Sequence, residues 1–285
     1  MRPSKALRGA AVAVVAMALA GCNSSSSSNS ACGSSGKPQA GGDLVMARAD
    51  EATSLSPSVP QDNASIWIIE EIYDTLVVPS PDGKSVTPSL ATSWRQSADK
   101  LSWTFDLHRD AKFTNGQPVT SADVKFSIQQ NQKQDAPFSF IDSIITKIDT
   151  PNASTIVFHT QRPWAPLPAD MALYANSIVP KDYAGKSAAD FAKSPIGSGP
   201  FKFANWSRGS SLKIGKNPQY WRTGLPYLDS VTFTVVPDSN TRSMQLAATR
   251  FRSTSTPLSR ASSHCRSSRT SPSAPLTPAR LTILV

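Results

Sequence analysis

The chain has 285 residues, 39% apolar and 17% charged, with 29 Lys and Arg against 20 Asp and Glu for a formal net charge of +9. The excess sits at the ends: residues 1–40 hold four basic residues and no acid, residues 249–285 hold six Arg and no acid, and the stretch between keeps 19 basic against 20 acidic residues. A nucleic-acid footprint needs a basic face on a folded domain, so this distribution argues against nucleic acid as a partner; and with no Cys between Cys32 and Cys265 the body cannot carry a disulfide.

The first 21 residues have the secretory order, with Arg2, Lys5 and Arg8 ahead of an apolar run from Ala10 to Ala20. That run is too short to span a bilayer. Leu19-Ala20-Gly21-Cys22 resembles a bacterial lipobox, which implies cleavage before Cys22 and a lipid on its thiol. Residues 22–42 follow as a Ser- and Gly-rich tether with almost nothing to bury. The expected location is the outer face of the cell membrane, held by acyl chains rather than by a transmembrane helix.

From residue 41 to 248 the pattern is that of a globular body long enough for a core of its own. Asp43 to Ala49 opens with a short strand, and Asn63 to Asp74 follows as a helix. Pro81-Asp82-Gly83 marks a turn. In Leu101 to His108 the residues Leu101, Trp103, Phe105 and Leu107 alternate with polar ones, the period of a half-buried strand. Trp94, Trp103 and Trp221 are expected in the core. Asn115-Gly116 is a turn; Thr120 with Asp123 three residues on marks a helix start, and Val124 with Ile128 lies on one helix face. Ser154 to Thr160, Ser211 to Lys216 and Val231 to Val236 complete the strands, with Lys216-Asn217-Pro218 as a turn. The order is mixed α/β without regular βαβ alternation, and no internal repeat occurs.

Catalytic patterns are absent from this stretch. His108 and His159 stand on strands with no His or Cys at ligand spacing, so neither a metal nor a cofactor is expected. No nucleophile elbow, P-loop or zinc-protease motif occurs. Gly197-Ser198-Gly199 between Pro195 and Pro200 is a turn, and a bare glycine pair says little about phosphate. The reading is of a protein that is not an enzyme.

From Arg250 the chain runs in Ser, Thr, Arg and Pro with no Asp or Glu. Such composition cannot bury enough to offset its chain entropy. Residues 249–285 read either as a disordered basic tail or as an out-of-frame translation; the abrupt compositional break favours the second.

Several segments of the body resemble one family. Pro88 to Trp94, Leu101 to Leu107 and Ala111 to Val124, in this order and spacing, are similar to the extracellular solute-binding proteins of peptide, nickel and opine ABC importers. Pro195 to Phe201 and Asn217 to Trp221 resemble later motifs of that family. The resemblance implies a periplasmic-binding-protein-like fold of type II: a first lobe with an inserted subdomain at about 63–180, and a second lobe that this sequence lacks where Ala247-Ala248-Thr249-Arg250 replaces the family pattern. It implies capture of a peptide or other small solute, delivery to ABC permease subunits, and attachment to the membrane through the lipid. Leu55, Ser56, Ile66, Trp67 and Tyr174 fall where the family turns toward its ligand. The readings that compete with transport are a lipid-anchored adhesin or peptide-sensing surface protein, and a fragment that binds nothing.

Overall fold

A computed structural model of the protein describes residues 38–248. Cys22, the leader, tether residues 22–37 and the segment 249–285 lie outside the described residues. In chain order the first half contains β1 (Asp43–Arg48), α1 (Asn63–Ile72), β2 (Val77–Pro79), β3 (Val86–Pro88), β4 (Ala91–Gln96), β5 (Ser102–Leu107) and α2 (Ser121–Asn131). The second half contains α3 (Ser139–Asp142), β6 (Ile145–Asn152), β7 (Thr155–Thr160), α4 (Leu167–Asp170), α5 (Ala188–Lys193), β8 (Phe201–Ser207), β9 (Ser211–Lys216), β10 (Ser230–Val235) and α6 (Ser239–Ala248).

Two four-stranded sheets carry two cores. The first sheet has the order β1-β10-β9-β8, with β1 parallel to β10 and the other pairs antiparallel. The second is antiparallel throughout, in the order β4-β5-β7-β6, with the β2–β3 pair beside it. One core holds Leu76, Phe105, Val124, Phe158 and Ile178, and its buried members all fall between Leu76 and Ile178. The other joins Leu55, Ile69 and Tyr73 to Val179, Phe201 and Phe233. Chain membership therefore switches after Tyr73 and back at Val179, which groups α1 with the first sheet although the expected insertion began near residue 63. The two ends of the excursion meet where the Ile178 N–H donates to the Asp74 carbonyl at 2.9 Å.

Local chemistry explains the elements. The Asp123 carboxylate accepts from the Thr120 N–H at 2.8 Å and its hydroxyl at 2.5 Å, the reciprocal half of a capping box. Helix α1 stops at Ile72, two residues before the expected Asp74, because Tyr73 turns to extended backbone while its N–H still reaches Ile69. On β10 the alternation holds: Val231 and Phe233 are buried. On β5 it holds only in part. Phe105 and Leu107 are buried, but Leu101 is exposed at the edge of the turn before the strand.

The three tryptophans correct the expectation more clearly. Trp94, Trp103 and Trp221 are only partly buried, packed against one core rather than inside it. An indole has a polar tip that must find an acceptor: Trp103 donates to the Trp164 carbonyl at 2.9 Å and Trp221 to Asp74 at 3.0 Å.

The Gly197-Ser198-Gly199 turn lies against the C-terminal end of α1. A Cβ on Gly197 would stand 2.0 Å from the Ile72 carbonyl oxygen, and one on Gly199 2.6 Å from the Ile72 carbonyl carbon. Gly199 N–H donates to the same Ile72 oxygen at 2.9 Å. Between the glycines, the buried Ser198 hydroxyl donates to Asp74 at 3.1 Å. Asn217 then holds the turn from the far side, its amide donating to the Gly199 carbonyl at 2.9 Å. The two late sequence motifs thus form one knot around the point where the chain leaves α1.

Asp142 is a fully buried carboxylate with a shifted proton affinity. Burial pushes it up to about 6, partly offset by the Asn131 and Asn176 amides, which donate to its oxygens at 2.5 and 3.1 Å. The folded carboxyl therefore holds its proton more tightly than the unfolded one, so the native state binds more protons between about pH 4 and 6 and stability falls as pH rises through that window. The full effect is about 3 kcal/mol, of which about 2 kcal/mol falls between pH 4 and 7. Urea denaturation of Asp142→Asn beside the parent at both pH values should show the variant gaining that much relative to the parent at pH 7. A difference independent of pH would remove Asp142 from the account.

Candidate functional site

The loop from residue 49 to 62 is stapled to the start of α1. Asp62 caps the helix, accepting from the Ser65 N–H at 2.7 Å and the Ser65 hydroxyl at 3.0 Å, and it takes the Thr53 hydroxyl at 2.6 Å. Ser65 returns the favour by accepting from the Thr53 N–H at 2.8 Å. Burial alone would raise the Asp62 carboxyl, but the bonds from Thr53 and Ser65 outweigh it and hold it below the ordinary range. A polar, Ser- and Pro-rich loop is thereby fixed in place without a secondary structure of its own.

The five residues expected near a ligand do not form one cluster. The Leu55 side chain is fully buried in a core, and its carbonyl accepts the buried Tyr73 hydroxyl at 2.9 Å. Only Ser56 of that pair reaches an opening. It lines a groove of about 440 Å³ together with Val59, Gln130, Lys133, Asp135 and Tyr183. Tyr174 is half-buried beside the loop, donating to the Pro60 carbonyl at 2.7 Å, with Phe138 edge-on at 5.5 Å. Burial and the nearby Asp62 and Glu70 charges push its hydroxyl up to about 12, so it stays a neutral donor. Ile66 is half-buried, and Trp67 stands 40% exposed on α1 with the Arg48 guanidinium 5.0 Å from its ring.

The groove's other walls come from parts of the chain that sequence reasoning passed over. Gln130 lies in the last turn of α2, and Lys133, Asp135 and Pro137 occupy the loop after it. Tyr183 is held there by unusual backbone: Asp182, Tyr183 and Ala184 all have φ between 52 and 54°. Left-handed non-glycine residues cost roughly 1–2 kcal/mol each, and the surroundings must hold them. Tyr183 packs between Phe126 and Phe191, with centroids at 5.1 and 4.9 Å, and its hydroxyl lies 3.4 Å from Gln130 Oε1. No run of residues could have announced this groove, because its lining is spread over 136 positions along the chain, from Ser56 to Ala192.

Chemically the groove offers one ammonium, one carboxylate, hydroxyls and an amide together with the apolar Val59, Pro137 and Ala192. That combination suits a short chain with charged ends and an apolar body. Among the described residues no group of three His, Cys, Asp or Glu side chains could hold a metal ion. No described helix is long and apolar enough to cross a membrane.

Comparison with known proteins gives a consistent picture. The family model described as bacterial extracellular solute-binding proteins, family 5 Middle, matches residues 85–258. A probable D,D-dipeptide-binding periplasmic protein of Escherichia coli is 34% identical over 215 residues, 72% of this chain and 41% of its own length. An oligopeptide-binding protein of Bacillus subtilis is 32% identical over 249 residues, 82% of this chain and 45% of its own length. The solved structure of that oligopeptide-binding protein in complex with a nonapeptide has a TM-score of 0.68 at 30% identity, over 74% of this chain and 43% of the neighbour. A binding protein from Agrobacterium in complex with agropinic acid also scores 0.68, at 34% identity over 73% of this chain and 42% of the neighbour. The fold is thus of the type II periplasmic-binding class, and the chain spans less than half the length of the relatives it matches.

Proposed function

The chain belongs to the bacterial extracellular solute-binding proteins of family 5, and from that membership we propose that it captures a peptide or similar small solute outside the cell for delivery to the permease of an ABC importer. The role is capture without chemistry. Residues 1–21 serve as the leader, Cys22 carries the lipid that keeps the protein beside its permease, and the tether to residue 42 spaces the body from the membrane. The body of 41–248 is a partial solute-binding lobe whose excursion between Tyr73 and Val179 is the inserted subdomain.

The observation that carries this reading is the groove that unites Ser56 with Gln130, Lys133, Asp135 and Tyr183. A peptide presents an ammonium, a carboxylate and alternating apolar and polar groups, and the groove offers the complement of each. Ser56 and Tyr174 are the residues we retain for ligand contact; Leu55 contributes through its position in the loop, and Ile66 and Trp67 through the helix face beside it.

The test is equilibrium dialysis of the purified full chain against a mixed library of tri- to pentapeptides, with retained peptides identified by mass spectrometry. Retention of a defined subset is expected, and Lys133→Ala should weaken it by about tenfold, the loss of one charge-assisted hydrogen bond. Retention no greater than that of an unrelated protein would overturn the proposal.

A further inference from the structure

The last residue of β1 presents a different kind of opening. Arg48 is only 9% exposed, and its guanidinium carbon lies 4.1 Å from the Phe233 ring centroid and 5.0 Å from that of Trp67. One nitrogen, Nη1, donates to the Ala64 carbonyl at 2.6 Å. The other two, Nε and Nη2, are closed to solvent and have no partner among the described residues. These two nitrogens form the side-on fork that grips a carboxylate. Burial draws the proton affinity of Arg48 down to about 10, which still leaves it charged at neutral pH.

Two unmade hydrogen bonds on a buried cation are costly, and no carboxylate among the described residues makes them. Asp62 attracts it from a distance, but the Asp62 oxygens are taken by Thr53 and Ser65. Glu51 is held by the Trp206 indole at 2.9 Å and the Gly209 N–H at 3.0 Å. Asp50 is exposed at the rim. Arg48 also lines a hollow of about 10 Å³, room for one water-sized atom, whose walls include Asp50 and Glu51 as well as Ala52, Ile68, Leu212 and Phe233.

Arg48 stands at one end of the first sheet. Arg48 and Val235 end the parallel pair β1–β10, with the Val236 N–H bound to the Arg48 carbonyl at 2.7 Å, and ligands of open sheets gather outside such carboxyl ends. Helix α6 begins there, and Arg242 from its first turn donates to the carbonyls of Val236 and Pro237 at 2.7 Å each. The start of α1 lies on the other side, through Ala64.

We propose that the Nε–Nη2 edge of Arg48 is the seat of a carboxylate oxygen from a small acidic ligand. It is a recognition point separate from the groove, whose lining includes neither Arg48 nor Trp67. An oxygen of the size of water fills the hollow, accepts both unpartnered hydrogens and neutralises the cation, which a water molecule there cannot do.

Formate is the smallest probe. The full chain is titrated with sodium formate at ionic strength held constant with sodium chloride, with formamide as the neutral counterpart, and the thermal midpoint and tryptophan fluorescence are followed. A saturable rise of the midpoint with formate alone is expected. Arg48→Lys keeps the charge and loses the fork, and should weaken the response by about tenfold or more. Formate acting no differently from chloride or formamide overturns the proposal, whether or not the variant folds; so does an unchanged response in a folded Arg48→Lys. A chain that retains peptides and ignores formate loses this seat and keeps its proposed role, and one that takes formate but no peptide does the reverse.

Discussion

Gly197→Ala is expected to cost the folded chain more than about 4 kcal/mol, beyond what a single substitution ordinarily does. The glycine is needed for room, not for backbone freedom: its φ is ordinary, but an added Cβ would lie 2.0 Å from the Ile72 carbonyl oxygen and 2.8 Å from its carbon. Those are backbone atoms at the end of α1, and they cannot rotate away as a side-chain tip could. Relief requires moving the turn or the helix end, and either breaks the 2.9 Å bond from Gly199 to the same carbonyl. Gly215→Ala is the matched control, since the nearest atom to its added Cβ is the Asp229 carbonyl oxygen at 4.0 Å. Urea denaturation followed by far-UV circular dichroism should leave Gly215→Ala near the parent and Gly197→Ala largely unfolded without denaturant. Midpoints of the two variants within about 1 kcal/mol of each other would show that the close approach is not obligatory.

The second large effect centres on Asp74. Its buried carboxylate accepts from the Ser198 hydroxyl at 3.1 Å, the Trp221 indole at 3.0 Å and, at 3.5 Å, the Tyr220 hydroxyl. Asp74→Ala strands these donors and leaves a void, a loss of about 3–5 kcal/mol. Asp74→Asn keeps one acceptor oxygen and should cost about half as much. Because Trp221 belongs to the cluster, its fluorescence should change in the native baseline of the Ala variant before unfolding begins. Equal losses for Asn and Ala would mean that volume matters there and hydrogen bonding does not.

Sequence patterns reached those parts of the fold where one element records its own environment. The alternation in β7 and β10 is written in adjacent residues, and the Thr120 and Asp123 pair states a helix start within one turn. Strands β2 and β3 have three residues each, too few to show a period. Leu101 fits the alternation of β5 yet stays exposed, because a period identifies a face and not where the neighbouring strand ends. The site was less legible still. Ser56 could be placed by resemblance, whereas Gln130, Asp135 and Tyr183 meet it only through the packing of α2 and the turn before α5. Arg48 looks like the polar end of a strand, and its two empty donors are visible only once Phe233 is beside it.

The meeting of Ile178 and Asp74 also bears on how the molecule is assembled in time. Between them run about 100 residues, and closing an unfolded loop of that length costs about 4 kcal/mol of chain entropy. Once that stretch has folded around its own core, its ends are already a hydrogen bond apart and the host sheet closes across a short gap. The excursion then acts as a clasp for β1, α1 and the strands that follow Val179, so a stretch that gives no strand to the first sheet sets the entropic cost of completing it.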